Sequence, residues 1–165
     1  MAQATQYWLV KSEPEAFSID DLARASKQTT GWDGVRNYQA RNFMRNMNVG
    51  DEVLFYHSNA DPPAVAGIAQ VVRTAYPDPT QFDPRDTHFD ANSDPEEPRW
   101  DMVDIRLIRR FKTPLSLERL RQEPQLKEME LLRKGSRLSV QPVRKKEWEV
   151  ILRLERQEGA GTNRR

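Results

Sequence analysis

The sequence contains no cysteine, which excludes a disulfide framework and any metal or nucleophile chemistry built on thiolate. It also lacks a charge excess, with 26 basic residues against 25 acidic ones and a formal net charge of +1. Bulk attraction therefore cannot carry it onto a polyanion, and any such binding must come from a local patch. No uninterrupted apolar run approaches membrane-spanning length, and the N-terminus shows no signal-peptide pattern. No internal repeat is visible. These absences predict a soluble, cytoplasmic chain with no membrane partner. A length of 165 residues suits one domain with a real core.

What is present reads as short strands and short helices. Tyr7 to Lys11 is a run of strand formers closed by Ser12-Glu13-Pro14. Ser18 and Asp21 form a near capping box for a short helix through Ile19, Leu22 and Ala23. Asn37 is a cap for a helix over Tyr38 to Met47 with Ala40, Phe43, Met44 and Met47 on one stripe. Strands are expected over Glu52 to His57, Ala64 to Tyr76 and Val103 to Leu107, with an irregular, functional or mobile stretch over Pro77 to Pro98. Helices are expected over Leu117 to Arg121, Leu126 to Lys134 and Lys145 to Leu154, and an extended segment over Ser136 to Val143. The pattern predicts an α+β domain with a mixed or antiparallel barrel over residues 1–154, then a disordered tail over 155–165.

The run Gly31-Trp32-Asp33-Gly34-Val35-Arg36-Asn37 sets an aromatic ring between glycines, ahead of a basic helix. Glycine lets the backbone approach a ligand closely. The helix places Arg41 and Arg45 on one face, four residues apart. Stacking aromatics beside cationic groups suit a nucleic acid, so Arg36, Arg41 and Arg45 are candidate phosphate contacts. Tyr56, His57, Ser58 and Asn59 line up four hydrogen-bonding side chains at a strand end, the type of group that reads an unstacked base.

Other chemistry is weaker. His57, Ser58 and Asp61 are the residue types of a hydrolase triad, but sequence neighbours seldom converge and no nucleophile elbow is present. Asp83, Asp86, His88, Asp90, Asn92 and Asp94 are oxygen-rich, yet the calcium-loop spacing, glycine and closing glutamate are missing. No metal, cofactor or catalytic residue is expected.

Tyr7-Trp8-Leu9-Val10-Lys11-Ser12-Glu13-Pro14, the Trp32 run, Val49-Gly50-Asp51, Phe55 to Asn59, Ala75 to Pro79 and Ser136 to Val143 occur in one order along the chain. Together they resemble the EVE domain of the PUA-like superfamily, from Tyr7 to about Leu154. The resemblance implies a PUA-like β-barrel decorated by helices, and a non-catalytic module for nucleic acid, DNA or RNA, carrying a modified, cytosine-type base. It implies that Lys11, Ser12, Val35 and Asn37 line the base pocket and that Trp32 is its stacking wall. Arg137 and Ser139 fit the same pocket or its rim, as do Tyr56, His57, Ser58 and Asn59. A monomer is favoured. The competing function is an enzyme or a barrel binding a small nucleotide-like metabolite, which would show no salt-dependent affinity for polymer.

Overall fold

A computed structural model describes residues 4–162. Six strands form one sheet in the order β2-β5-β4-β3-β1-β6. They are β1 (Tyr7–Ser12), β2 (Thr29–Gly31), β3 (Glu52–His57), β4 (Ala64–Pro77), β5 (Asp101–Ser116) and β6 (Val140–Val143). The helices are α1 (Ile19–Arg24), α2 (Tyr38–Arg45), α3 (Leu117–Arg121) and α4 (Lys145–Thr162). β1 and β3 pair in parallel, with Lys11 opposite Tyr56 and Ser12 opposite His57. Every other pairing is antiparallel. This is the expected α+β class, but the expected barrel is corrected. The sheet is not closed: β2 and β6 are its two edges and do not pair with each other.

Both faces of the sheet are covered, which explains the strongly apolar strands. Alternation along β1 and β3 sends Trp8, Val10, Val53 and Phe55 to one face, where α1 and α2 contribute Ile19, Leu22, Ala40 and Met44. Leu9, Leu54 and Tyr56 point to the other face, packed with Leu120, Leu126, Trp148, Ile151 and Leu154. Register shifts between Val65 and Gly67 and again along β4 bend its pairing with β5.

The caps are as the residue types predict. Ser18 completes a capping box with Asp21, and the Asn37 side chain accepts from the Ala40 amide. Three segments differ. Leu126 to Lys134 is no helix: short 3-10 turns over Pro124–Leu126 and Glu130–Leu132 bury Leu126 and Leu131. Their three-residue turn matches the spacing of Leu126, Met129 and Leu132. β5 runs far beyond Val103 to Leu107 because β4 pairs with it from Asp101 to Ser116. The last helix continues past Leu154 to Thr162, anchored by a 2.8 Å ion pair between Arg109 and the buried Glu155. Residues 163–165 of the expected tail lie outside the described residues.

The long stretch between β4 and β5 is folded around the buried Gln81. Its amide donates to the carbonyls of Asp78 and Trp100, and its Oε1 accepts from Ser93 Oγ and the Trp100 amide. The loop carboxylates of Asp83, Asp86, Asp90 and Asp94 each accept from the amide two residues on. They close local turns. Among the described residues, no group of three metal-ligating side chains converges.

Candidate base-binding cleft

A cleft of about 560 Å³ opens where the end of β1, the turn after it, the run from Thr30 to Arg36, and His88 of the long loop meet. Trp32 is its floor. The ring is 8% exposed and stands edge-on to Phe55 and to Phe17, with centroids 5.4 and 6.4 Å away. Its amide donates to the Val103 carbonyl, which extends the β2–β5 pairing to the site. The tryptophan is therefore both a core residue and a cleft residue.

One wall is built from the β1 end. Ser12 Oγ donates to the Phe17 carbonyl at 2.7 Å, closing the turn that brings Phe17 over Trp32. The Lys11 amide donates to the Ser139 carbonyl, joining the segment before β6 to the same wall. Burial lowers the pKa of the Lys11 ammonium, with Glu130 acting in the opposite direction.

The opposite wall depends on Asp78, whose side chain is fully buried. Its carboxylate accepts from the Gly34 amide, the Thr80 amide and hydroxyl, and Arg36 Nη1. Burial alone would raise its pKa; these hydrogen bonds outweigh it and hold the carboxyl below the ordinary value. Gly34 has φ +79°, and an added Cβ would come within 2.8 Å of the His88 ring. Arg36 donates twice more to the His88 carbonyl, at 2.9 and 2.7 Å, and so fixes the loop against the cleft. Behind the floor, the Tyr76 hydroxyl donates to Asp104, and burial together with that bond pushes its pKa up to about 12.

The structure brings Lys11, Ser12, Trp32, Val35, Arg36 and Ser139 to this cleft. The structure places the other expected pocket residues outside the lining of this cleft. Tyr56 is buried on the opposite face, because it shares strand parity with Leu54 and not with Phe55. His57 accepts from the Ile19 amide through Nε2 at 3.0 Å, so it serves the start of α1. The Ser58 amide donates to the Ser12 carbonyl, and Asn59 sits in a turn with φ +50°. Asn37 caps α2. Arg137 lines a separate surface with Glu130 and Arg133. Arg41 and Arg45 do face one cleft together, but it is another, shared with Asn92 and Arg99. Arg36 is not a free cation on the surface, since Asp78, Thr80 and His88 occupy it.

Sequence reasoning missed Phe17, Asp33 and His88 as cleft residues. Asp33 lay inside the glycine-bounded run and was legible there. Phe17 and His88 reach the site through a turn and a long loop, and no local spacing announces either.

A model of the EVE domain matches residues 6–154. The chain is 46% identical over 171 residues to thymocyte nuclear protein 1 of Rattus norvegicus, covering 93% of this chain and 75% of that protein. A crystal structure of a Pseudomonas putida protein superposes with a TM-score of 0.87 at 50% identity, covering 90% of this chain and 99% of that one. The crystal structure of human THYN1 protein in complex with 5-methylcytosine-containing DNA superposes with a TM-score of 0.87 at 42% identity, covering 92% and 98%. An open, helix-covered mixed sheet with an aromatic cleft at the β1 end defines the class. The chain belongs to the EVE domain family.

Proposed function

We propose that this protein is a non-catalytic reader of a modified cytosine in DNA, which it takes out of the stack into the Trp32 cleft. The observation that carries this is the cleft itself: an aromatic floor and wall, Trp32 and Phe17, ringed by polar side chains on rigid elements. The human THYN1 complex with 5-methylcytosine-containing DNA supports the choice of ligand.

Flipping a base costs a few kcal/mol, and stacking returns ~1–3 kcal/mol per base. Because Trp32 shows only 8% of its surface, its share belongs at the low end of that range. Burying one added methyl contributes about 0.8 kcal/mol, roughly a fourfold preference over plain cytosine. Arg41 and Arg45 hold the flanking phosphates, giving position and no sequence information.

The test is a binding panel of short DNA and RNA oligonucleotides, each carrying one central cytosine, 5-methylcytosine or 5-hydroxymethylcytosine. Tighter, salt-dependent binding of a modified strand is expected. Equal affinity for all strands, or affinity only for free nucleosides without salt dependence, sinks the reading.

A further inference from the structure

The turn between Leu131 and Val140 carries cations that the rest of the chain leaves unpaired. Leu131 is buried at its start and Val140 at its end, so both ends are fixed to the core. Between them Gly135 takes φ +78° and the Ser136 amide donates to the Arg133 carbonyl, which folds the chain back on itself. Glu130, Arg133, Lys134, Ser136 and Arg137 line a hollow of about 260 Å³ together with Gln39 of α2. Arg133 pairs with Glu130 at 3.2 Å. Among the described residues, the exposed Lys134 and Arg137 have no hydrogen bond or ion pair. The Ser136 hydroxyl oxygen is buried and likewise has no partner.

The hollow at Arg41 and Arg45 differs in this respect. Arg41 donates to the Arg99 carbonyl, Arg45 pairs with Asp101, and Asp94 and Glu97 line the same space. At the Gly135 turn a guanidinium, an ammonium and a hydroxyl are all free to bond a ligand, in a chain whose net charge is only +1. That mixture of donors suits an anion with several acceptor oxygens. Phosphodiesters are held by such sets: arginine and lysine supply charge, and serine and glutamine side chains complete the hydrogen bonds.

Position relates the hollow to the cleft. Ser139, two residues on from Arg137, lines the Trp32 cleft, and its carbonyl accepts from the Lys11 amide. Two residues of chain span at most about 7 Å, so the hollow adjoins the cleft. Gln39 and Arg41 lie about 200° apart around α2, which sets the two basic hollows on opposite sides of its first turn. We propose that the Gly135 turn is a second phosphate site, which holds the backbone of the strand whose base occupies the cleft, on the side of α2 away from Arg41.

This inference rests on the base-reading function, and the experiment separates the two. Affinity is measured against salt on a short single strand carrying one 5-methylcytosine. Lys134→Ala and Arg137→Ala should each lower the salt slope by roughly one unit and leave the ratio between methylated and plain cytosine unchanged. Arg156→Ala, which removes an exposed cation of α4, should keep the wild-type slope. Glu130→Gln takes away the carboxylate in the hollow and should tighten binding. Ser136→Ala should weaken binding about fivefold, the scale of one hydrogen bond. It should not lower the melting temperature, because the hydroxyl bonds nothing in the protein. One uncharged methylphosphonate linkage, stepped along the strand, should reach a position that weakens the wild type but not Arg137→Ala. If Lys134→Ala and Arg137→Ala match Arg156→Ala and no linkage gives that pattern, while Trp32→Phe still loses binding, base reading stands and the turn is no phosphate site. A wild type with no salt-dependent affinity and no preference for the methylated strand overturns both.

Discussion

Trp32 stands perpendicular to Phe55, their ring centroids 5.4 Å apart at 83°, so the floor of the cleft is also part of the core over the sheet. A single substitution there acts on two readouts at once. Trp32→Ala should cost ~3–5 kcal/mol of stability, as for a buried aromatic truncation. Trp32→Phe keeps most of the packing and removes indole area from the cleft. It should melt within a few degrees of the wild type yet bind a 5-methylcytosine strand about fivefold more weakly, the low end of the stacking range. Thermal melts run beside binding titrations separate the two effects. Unchanged affinity in a folded Trp32→Phe protein would remove the ring from the binding surface.

The positive φ of Gly34 and its contact with His88 make a second prediction. A side chain in the left-handed region costs about 1–3 kcal/mol. The His88 ring, although an added Cβ would be 2.8 Å from it, is the end of a side chain on a loop and can move aside. The strain of Gly34→Ala should therefore be conformational. Adding His88→Ala should recover little of the lost stability in a double-mutant cycle. Near-complete recovery would show that contact, not backbone, decides the cost.

Local chemistry was readable where the chain itself supplies the signal. Ser18 with Asp21, Asn37, and the run from Glu52 to His57 behave as their residue types dictate. β2 was not readable: Thr29–Gly31 is short and polar, and is a strand only because Asp104 to Arg106 pair with it. β5 was underread because Arg109, Arg110 and Pro114 break the alternation that its long pairing with β4 overrides. Tyr56 was within reach of sequence reasoning. Strand parity puts it opposite to Phe55, and counting by twos would have placed it away from Trp32. The partners of Trp32 and Asp78 are distant in sequence, so the cleft's walls could be inferred only through the family resemblance.

His57 gives the fold a pH dependence with a definite sign. Burial holds its imidazole below the ordinary histidine value, against a weaker opposing pull from Asp20. A base with a depressed native pKa takes its proton more readily when unfolded, so stability rises with pH through this window. On acidification, stability should fall as pH drops below about 6.5, the unfolded histidine value. The Ile19 bond to Nε2 is lost with that protonation. His57→Gln, which can still accept from Ile19, should lose less stability between pH 7.5 and 5.5 than the wild type. Denaturant melts at both pH values check this, and parallel losses in both proteins would rule His57 out as the source.

The three arginines first grouped as phosphate ligands now divide by their surroundings. Arg41 lies over the Tyr38 ring at 4.7 Å and Arg45 pairs with Asp101 at 2.5 Å, both on partly open surface. Arg36 faces the buried carboxylate of Asp78. A phosphate contact releases counterions, so Arg41→Ala and Arg45→Ala should each lower the salt slope of binding by roughly one unit. The effect of Arg45 should be the smaller, because phosphate must compete with Asp101 for it. Neither change should alter the ratio between methylated and plain cytosine. Arg36→Ala should do the reverse. It frees the His88 loop and leaves Asp78 short of a partner, which lowers stability and weakens binding at nearly constant slope. The measurement is affinity against salt for all three variants on matched strands, with a melt for each. A slope change confined to Arg36→Ala would move the phosphate track from the Arg41 face to the mouth of the Trp32 cleft.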